Sequence, residues 1–210
     1  MIYWDELEDL WELISEDPNF DHLRIGKNPL VSGEGDNPKA FIIGEAPGAQ
    51  EVMQRRPFVD PAGMVLRQLM ASAELYTKRG MGPWWTAHPE IKPNCWLTNV
   101  LKYKPPRNRT PTLKEITDSR ILIRREWALV GRPRLIIPVG AAALHLITGK
   151  QLSILDNAGK LTVHIGRDGK EITVWPMIHP SYGLRNEEVR PLMEKHWLTL
   201  GAWLDERGNV

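Results

Sequence analysis

Short apolar runs separated by stretches of helical periodicity constrain this chain more than any other feature. Ala40-Phe41-Ile42-Ile43 stops at Gly44, and Cys95 to Val100 and Leu135 to Val139 repeat the pattern. Glu171 to Met177 leads through Ile178 to His179-Pro180. Brief runs that are apolar at successive positions read as strands buried on both faces. Between and around them, Tyr3 to Ile14, Gly63 to Leu75, Thr112 to Val130, Ala141 to Ile147 and Arg190 to Leu204 read as helices. Thr112 with Glu115 three residues later is a capping box, which fixes one of these helix starts. Strands alternating with helices predict an α/β fold: a three-layer α/β/α sandwich around a central, mainly parallel four-stranded sheet.

Gly166-Arg167-Asp168-Gly169, between Leu161 to Ile165 and Glu171 to Met177, is a hairpin signal. Asn28 to Lys39 reads as an irregular connector, and Gly80 to Pro93 as an aromatic-rich loop holding Trp84 and Trp85. Residues 1–210 suit one domain, with 1–39 as N-terminal helix and connector and 40–204 as the core that carries a site.

Composition removes several classes. At 42% apolar and 25% charged residues the chain is globular rather than disordered. No apolar run approaches the roughly 18 residues of a membrane span. Met1 to Asp9 is acidic and lacks the basic and apolar regions of a signal peptide, which predicts a cytoplasmic protein with no membrane partner. Cys95 is the single cysteine, so an internal disulfide, a CxxC pair and a four-cysteine metal site are excluded. The net charge of +1 hides an asymmetry: residues 1–51 carry 3 basic and 12 acidic side chains, net −9, whereas 101–134 carry 10 basic and 3 acidic. One concentrated basic stretch suits either a polyanion met on one face or a solvated helix.

In doubly covered parallel sheets, ligands bind beyond the carboxyl ends of the strands. Glu45, Asn99 and His179 stand at three of those ends, bringing a carboxylate, a carboxamide and an imidazole to one edge. Singly, each has an ordinary structural use as a cap or turn former. Together they define a candidate site.

Gly44-Glu45-Ala46-Pro47-Gly48, then Glu51, Pro57-Phe58-Val59 and Ala62-Gly63, resembles the first motif of family-4 uracil-DNA glycosylases. Thr98-Asn99-Val100 with Lys102, Pro105-Pro106, Asn108-Arg109 and Pro111-Thr112 resembles the family's next segment. Val139-Gly140-Ala141-Ala142-Ala143 and His179-Pro180-Ser181 with Leu184-Arg185 resemble the later ones, in order. The resemblance implies a monofunctional DNA N-glycosylase, a hydrolase of base-excision repair that releases a flipped base, uracil foremost, and leaves an abasic site. Its partner would be DNA, single- or double-stranded, bound by a monomer.

Within that resemblance, Phe58 would stack on the base and Asn99 would contact its edge, with the backbone N–H groups of Ala46 and Gly48 meeting the base or a phosphate. His179 would donate to the carbonyl oxygen where negative charge develops. Glu45 would position or deprotonate water, with Glu51 as its competitor. Ser181, Tyr182, Gly183, Leu184 and Arg185 would form a loop entering the minor groove, and Lys102, Lys104, Arg107 and Arg109 would meet phosphates. No lysine in the matched motifs is placed as a Schiff-base nucleophile.

The family's iron–sulfur cluster needs four cysteines, and this chain departs from that pattern. Phe20 and Leu23 stand in place of the early pair, Tyr103 in place of the third, and the fourth falls near Ser119. The expectation is therefore no cofactor and no metal, with apolar packing in place of the cluster. Asp60 also replaces a usual glycine. Two alternatives stay open: excision of a modified pyrimidine, such as glucosylated hydroxymethylcytosine, from viral DNA in defence, and a catalytically idle DNA-binding module.

Overall fold

The computed structural model describes residues 1–36, 38–73, 75, 94–165 and 168–207. Trp84 and Trp85 lie outside the described residues, so their reading stays at the level of sequence.

The apolar runs form strands β1 (Ala40–Gly44), β2 (Cys95–Asn99), β3 (Leu135–Pro138) and β5 (Glu171–Val174), all parallel to one another. A further strand, β4 (Thr162–Ile165), pairs antiparallel with β5, so the sheet has five strands in the order β2-β1-β3-β5-β4. The expected four-strand sheet is thus the parallel part, and the hairpin signal extends it by an edge strand. Every β4 residue is solvent-exposed, which is why no buried run announced it.

Alternation along β1 assigns the two faces. Ala40 and Ile42 join Leu97, Leu135 and Ile137 in a core covered by α3 (Pro61–Ser72) and α8 (Arg190–Glu206). Phe41 and Ile43 join Trp96, Ile136 and Val174 in a second core under α1 (Trp4–Glu16), α4 (Leu113–Leu129) and α5 (Ala141–Thr148). These are the three layers; the short helices α2 (Ala49–Gln54) and α6 (Ile154–Asn157) lie in the connections after β1 and α5. The capping box at α4 forms as read: Thr112 Oγ1 accepts from the Glu115 N–H at 3.2 Å, and Glu115 Oε2 accepts from the Thr112 N–H at 2.6 Å. At α3 the helix starts earlier than the apolar spacing suggests, because Pro61 opens it and Asp60 Oδ1 accepts from the Gly63 N–H at 2.7 Å.

Register places the strand ends together. Gly44 is the partner of Asn99, Ile43 of Pro138, and a bridge joins Val139 to Met177. Glu45, Asn99, Gly140 and His179 therefore leave the sheet at one edge.

Candidate active site

A cleft of about 580 Å³ opens at that edge. Glu45, Glu51, Phe58, Asn99, Thr110, His179 and Arg185 line it, with Ala46, Gly48, Arg109, Ser181 and Tyr182. Most of the residues expected from sequence thus share one cavity.

Asn99 is buried, and its Nδ2 donor has no hydrogen-bond partner among the described residues. A buried amide donor without a partner costs about 1–3 kcal/mol, so its place in the cleft wall points to a ligand that accepts from it. Gly44 leaves the space for this arrangement. A Cβ there would lie 2.3 Å from Asn99 Oδ1 and 2.5 Å from Phe58 Cζ.

His179 caps α7 (Pro180–Arg185): its Nδ1 accepts from the Ser181 N–H at 3.2 Å and lies 2.8 Å from Ser181 Oγ. A backbone N–H only donates, so the proton of the neutral ring sits on Nε2. Burial pulls the His179 pKa down to about 4, with Arg185 adding to the shift and Asp60 opposing it. At pH 7 the ring is an uncharged donor. The Phe58 and His179 rings lie 6.5 Å apart, centroid to centroid.

Burial raises the proton affinity of Glu45, while a hydrogen bond from Thr110 and the Arg185 charge act against it. Thr110 was not legible as a site residue; it sits in the basic loop between the Asn99 strand and the capping box, without a motif of its own.

Glu51 is 4% exposed and both its oxygens accept from backbone N–H groups, Oε2 from Gly48 at 2.5 Å and Oε1 from Phe58. Burial raises its pKa to about 7. It fastens the loop that carries Phe58 while lining the cleft with Glu45, whose rival for the water-handling part it is expected to be. The Gly48 N–H is likewise spent on Glu51 and is not free to meet a base, contrary to expectation. Phe58 itself sits at φ +55°, a left-handed conformation that costs a bulky residue on the order of 1–3 kcal/mol.

The basic segment divides. Lys102 is not a phosphate contact: its Nζ is buried, donates to Thr98 Oγ1 and pairs with Glu126 Oε2 at 2.7 Å. A census of charge counts it as surface, but a lysine this deep answers to its partner. Arg109 lines the cleft yet is held by both oxygens of Glu115, at 2.8 and 2.7 Å, beside His22. Arg107 is exposed, and Lys104 is half-buried with its N–H on Asn28 Oδ1 at 3.3 Å. Residues 181–185, expected as a loop, form the short helix α7, because Pro180 and the His179 cap start one. On it Tyr182 and Leu184 stand out, 38% and 50% exposed.

The residues present do not fit an iron–sulfur cluster. Phe20, Leu23 and Tyr103 pack in one apolar group with Leu10, Ile14, Leu101 and Leu122. Phe20, Tyr103 and Ser119 line a void of about 10 Å³, room for hardly one water. No thiol is among them. Cys95 is buried on β2, where burial pushes its proton affinity up and away from the ligating thiolate. No group of three or more histidine, cysteine, aspartate or glutamate side chains suited to a metal occurs among the described residues.

Fold and site define a doubly wound α/β protein with a ligand cleft at the carboxyl edge of its parallel strands. The Uracil DNA glycosylase superfamily model matches residues 32–204. The chain belongs to that superfamily. It is 31% identical over 184 residues to a type-4 uracil-DNA glycosylase of Thermotoga maritima, covering 85% of each chain. A type-4 uracil-DNA glycosylase of Sulfurisphaera tokodaii is 34% identical over 171 residues, 79% of this chain and 70% of that one. One from Pyrobaculum aerophilum is 32% identical over 196 residues, 90% of each.

Proposed function

We propose that the chain hydrolyses the N-glycosidic bond of a flipped uracil in DNA and leaves an abasic site. The observation that carries this reading is the pairing in one cleft of the unpartnered Asn99 amide with a neutral His179 whose proton is on Nε2. Departure of the base builds negative charge on its carbonyl oxygen and positive charge on the sugar. A preorganised neutral donor at that oxygen stabilises the transition state without first having to be charged. Asn99 offers its free donor to the base edge, and Phe58 offers its face, a stacking contact worth about 1–3 kcal/mol. Glu45, the carboxylate not committed to backbone donors, holds the attacking water and faces the cationic sugar. Among the described residues no lysine lines the cleft to form a Schiff base, which supports hydrolysis without a lyase step. Tyr182 and Leu184 on α7 would enter the duplex as the base leaves it, with Arg185 and Ser181 toward phosphates.

The test is base release from matched DNA carrying uracil, cytosine, thymine or glucosylated hydroxymethylcytosine, with the freed molecule identified by mass spectrometry. Uracil release by the wild type and a loss of about 10²–10⁴-fold in Glu45→Gln, with DNA affinity kept, is the expected result. The cleft volume favours one second reading: about 580 Å³ leaves room beside a pyrimidine ring for a substituent. Release of only the modified base would select it. Salt-sensitive DNA binding with no release from any substrate would replace both by a binding module.

A further inference from the structure

Arg67 stands on α3, outside every motif that the sequence singled out, and its side chain is 7% exposed. Its Nε donates to the Phe58 carbonyl at 3.0 Å and its Nη2 to the Pro57 carbonyl at 3.2 Å. The same Nη2 pairs with Glu34 Oε1 at 2.5 Å. Glu34 is itself anchored twice. Its backbone bridges Leu97 of β2 through hydrogen bonds of 2.9 and 2.7 Å, and Arg56 Nε meets its Oε2 at 2.7 Å.

We propose that Arg67, set by Glu34, is a positioning residue that holds Phe58 in its left-handed conformation and so keeps the ring over Gly44, ready to take a base. The left-handed region is unfavourable for phenylalanine and persists only where the surroundings over-determine it. Here the N–H is taken by Glu51, the carbonyl by Arg67, and the helix backbone closes in from behind: a Cβ at Gly63 would lie 2.1 Å from the Phe58 carbonyl carbon. Glu51 governs one side of the peptide and Arg67 the other. A guanidinium suits the task because its fork reaches two successive carbonyls and a carboxylate at once. This inference rests on the reading of Phe58 as the stacking platform.

The experiment uses the full chain with its three phenylalanines replaced by para-fluorophenylalanine and read by fluorine NMR, Phe58→Leu assigning the Phe58 line. Arg67→Met is expected to shift or split that line while the Phe20 and Phe41 lines stay. Glu34→Gln, which keeps shape and removes charge, is expected to move the same line by less. An unmoved Phe58 line in folded Arg67→Met overturns the proposal; if that variant does not fold, an unmoved line in Glu34→Gln does so. In parallel, Arg67→Met should lower kcat/KM for uracil release about 10²-fold. The same substitution added to Phe58→Ala should cost nothing more. Equal losses in both backgrounds would make Arg67 a support of the fold alone and overturn the positioning role. If the wild type releases no uracil, the functional reading falls, and the NMR lines still decide whether Arg67 clamps Phe58.

Discussion

Burial moves the proton affinities of Glu51 and His179 in opposite directions, and each shift has a definite sign in stability. Glu51 titrates near 7 in the fold against 4.5 for a free side chain. Its contribution is therefore full below about pH 4.5 and is lost as pH rises toward 7, to a limit of about 3 kcal/mol. His179 falls from 6.5 to about 4, so its contribution is full above 6.5 and is lost as pH drops toward 4. The two slopes oppose each other between pH 4.5 and 6.5. Urea unfolding across that range should show stability rising with pH in Glu51→Gln and falling with pH in His179→Gln. A wild-type slope retained in both variants would show that neither group is buried as described.

At the scale of elements, α7 and the edge hairpin are the informative cases. Leu184 projects from a helix of six residues that starts at Pro180, half exposed, where a folded core gains nothing from it. Leu184→Ala should therefore leave melting within about 0.5 kcal/mol. It should weaken base release from duplex DNA by far more than from single strands, where no stack has to be refilled. Equal losses on the two substrates would remove the wedge role. The parallel strands were legible because each is buried on both faces and reads as one apolar run. β4 showed only through the hairpin signal, since its residues all face water and form no buried run, and α7 was hidden by Gly183, whose missing side chain makes room for Met193 Sδ. The candidate site was legible at the carboxyl ends of the strands: Asn99 ends β2, Glu45 follows β1 directly, and His179 lies two residues past the Val139–Met177 bridge. It was illegible where a side chain's place depends on what it touches: Lys102 turns inward to Glu126, and Thr110 meets Glu45 and Arg67 the Phe58 carbonyl from unremarkable positions.

On the scale of the whole molecule, the group of Phe20, Leu23 and Tyr103 ties the N-terminal segment to the chain that leaves β2. Phe20→Ala should cost about 3–5 kcal/mol in unfolding, the range for removing a buried aromatic ring. Purified protein should hold no iron, absorb nothing near the visible, and melt at the same temperature with or without a chelator. Substituting cysteine for Phe20, Leu23, Tyr103 and Ser119 together should bring iron and visible absorbance on reconstitution. Iron in the wild type would sink the idea that packing serves here instead. Charge is also distributed at this scale: the net −9 of residues 1–51 includes the acidic α1, which packs on α4, while in the cleft Arg109 and Arg185 stand with Glu45, Glu51 and Asp60.

The burial of Cys95 gives this chain a practical property. Its only thiol is sealed within the central sheet and held protonated, so reagents that seek thiolates meet a protein that behaves as cysteine-free while folded. A single cysteine placed at Leu184 would then be the sole point of attachment for a fluorophore. Whether α7 meets DNA, and when, would become visible as light, with no background from the scaffold and no cysteine to remove beforehand.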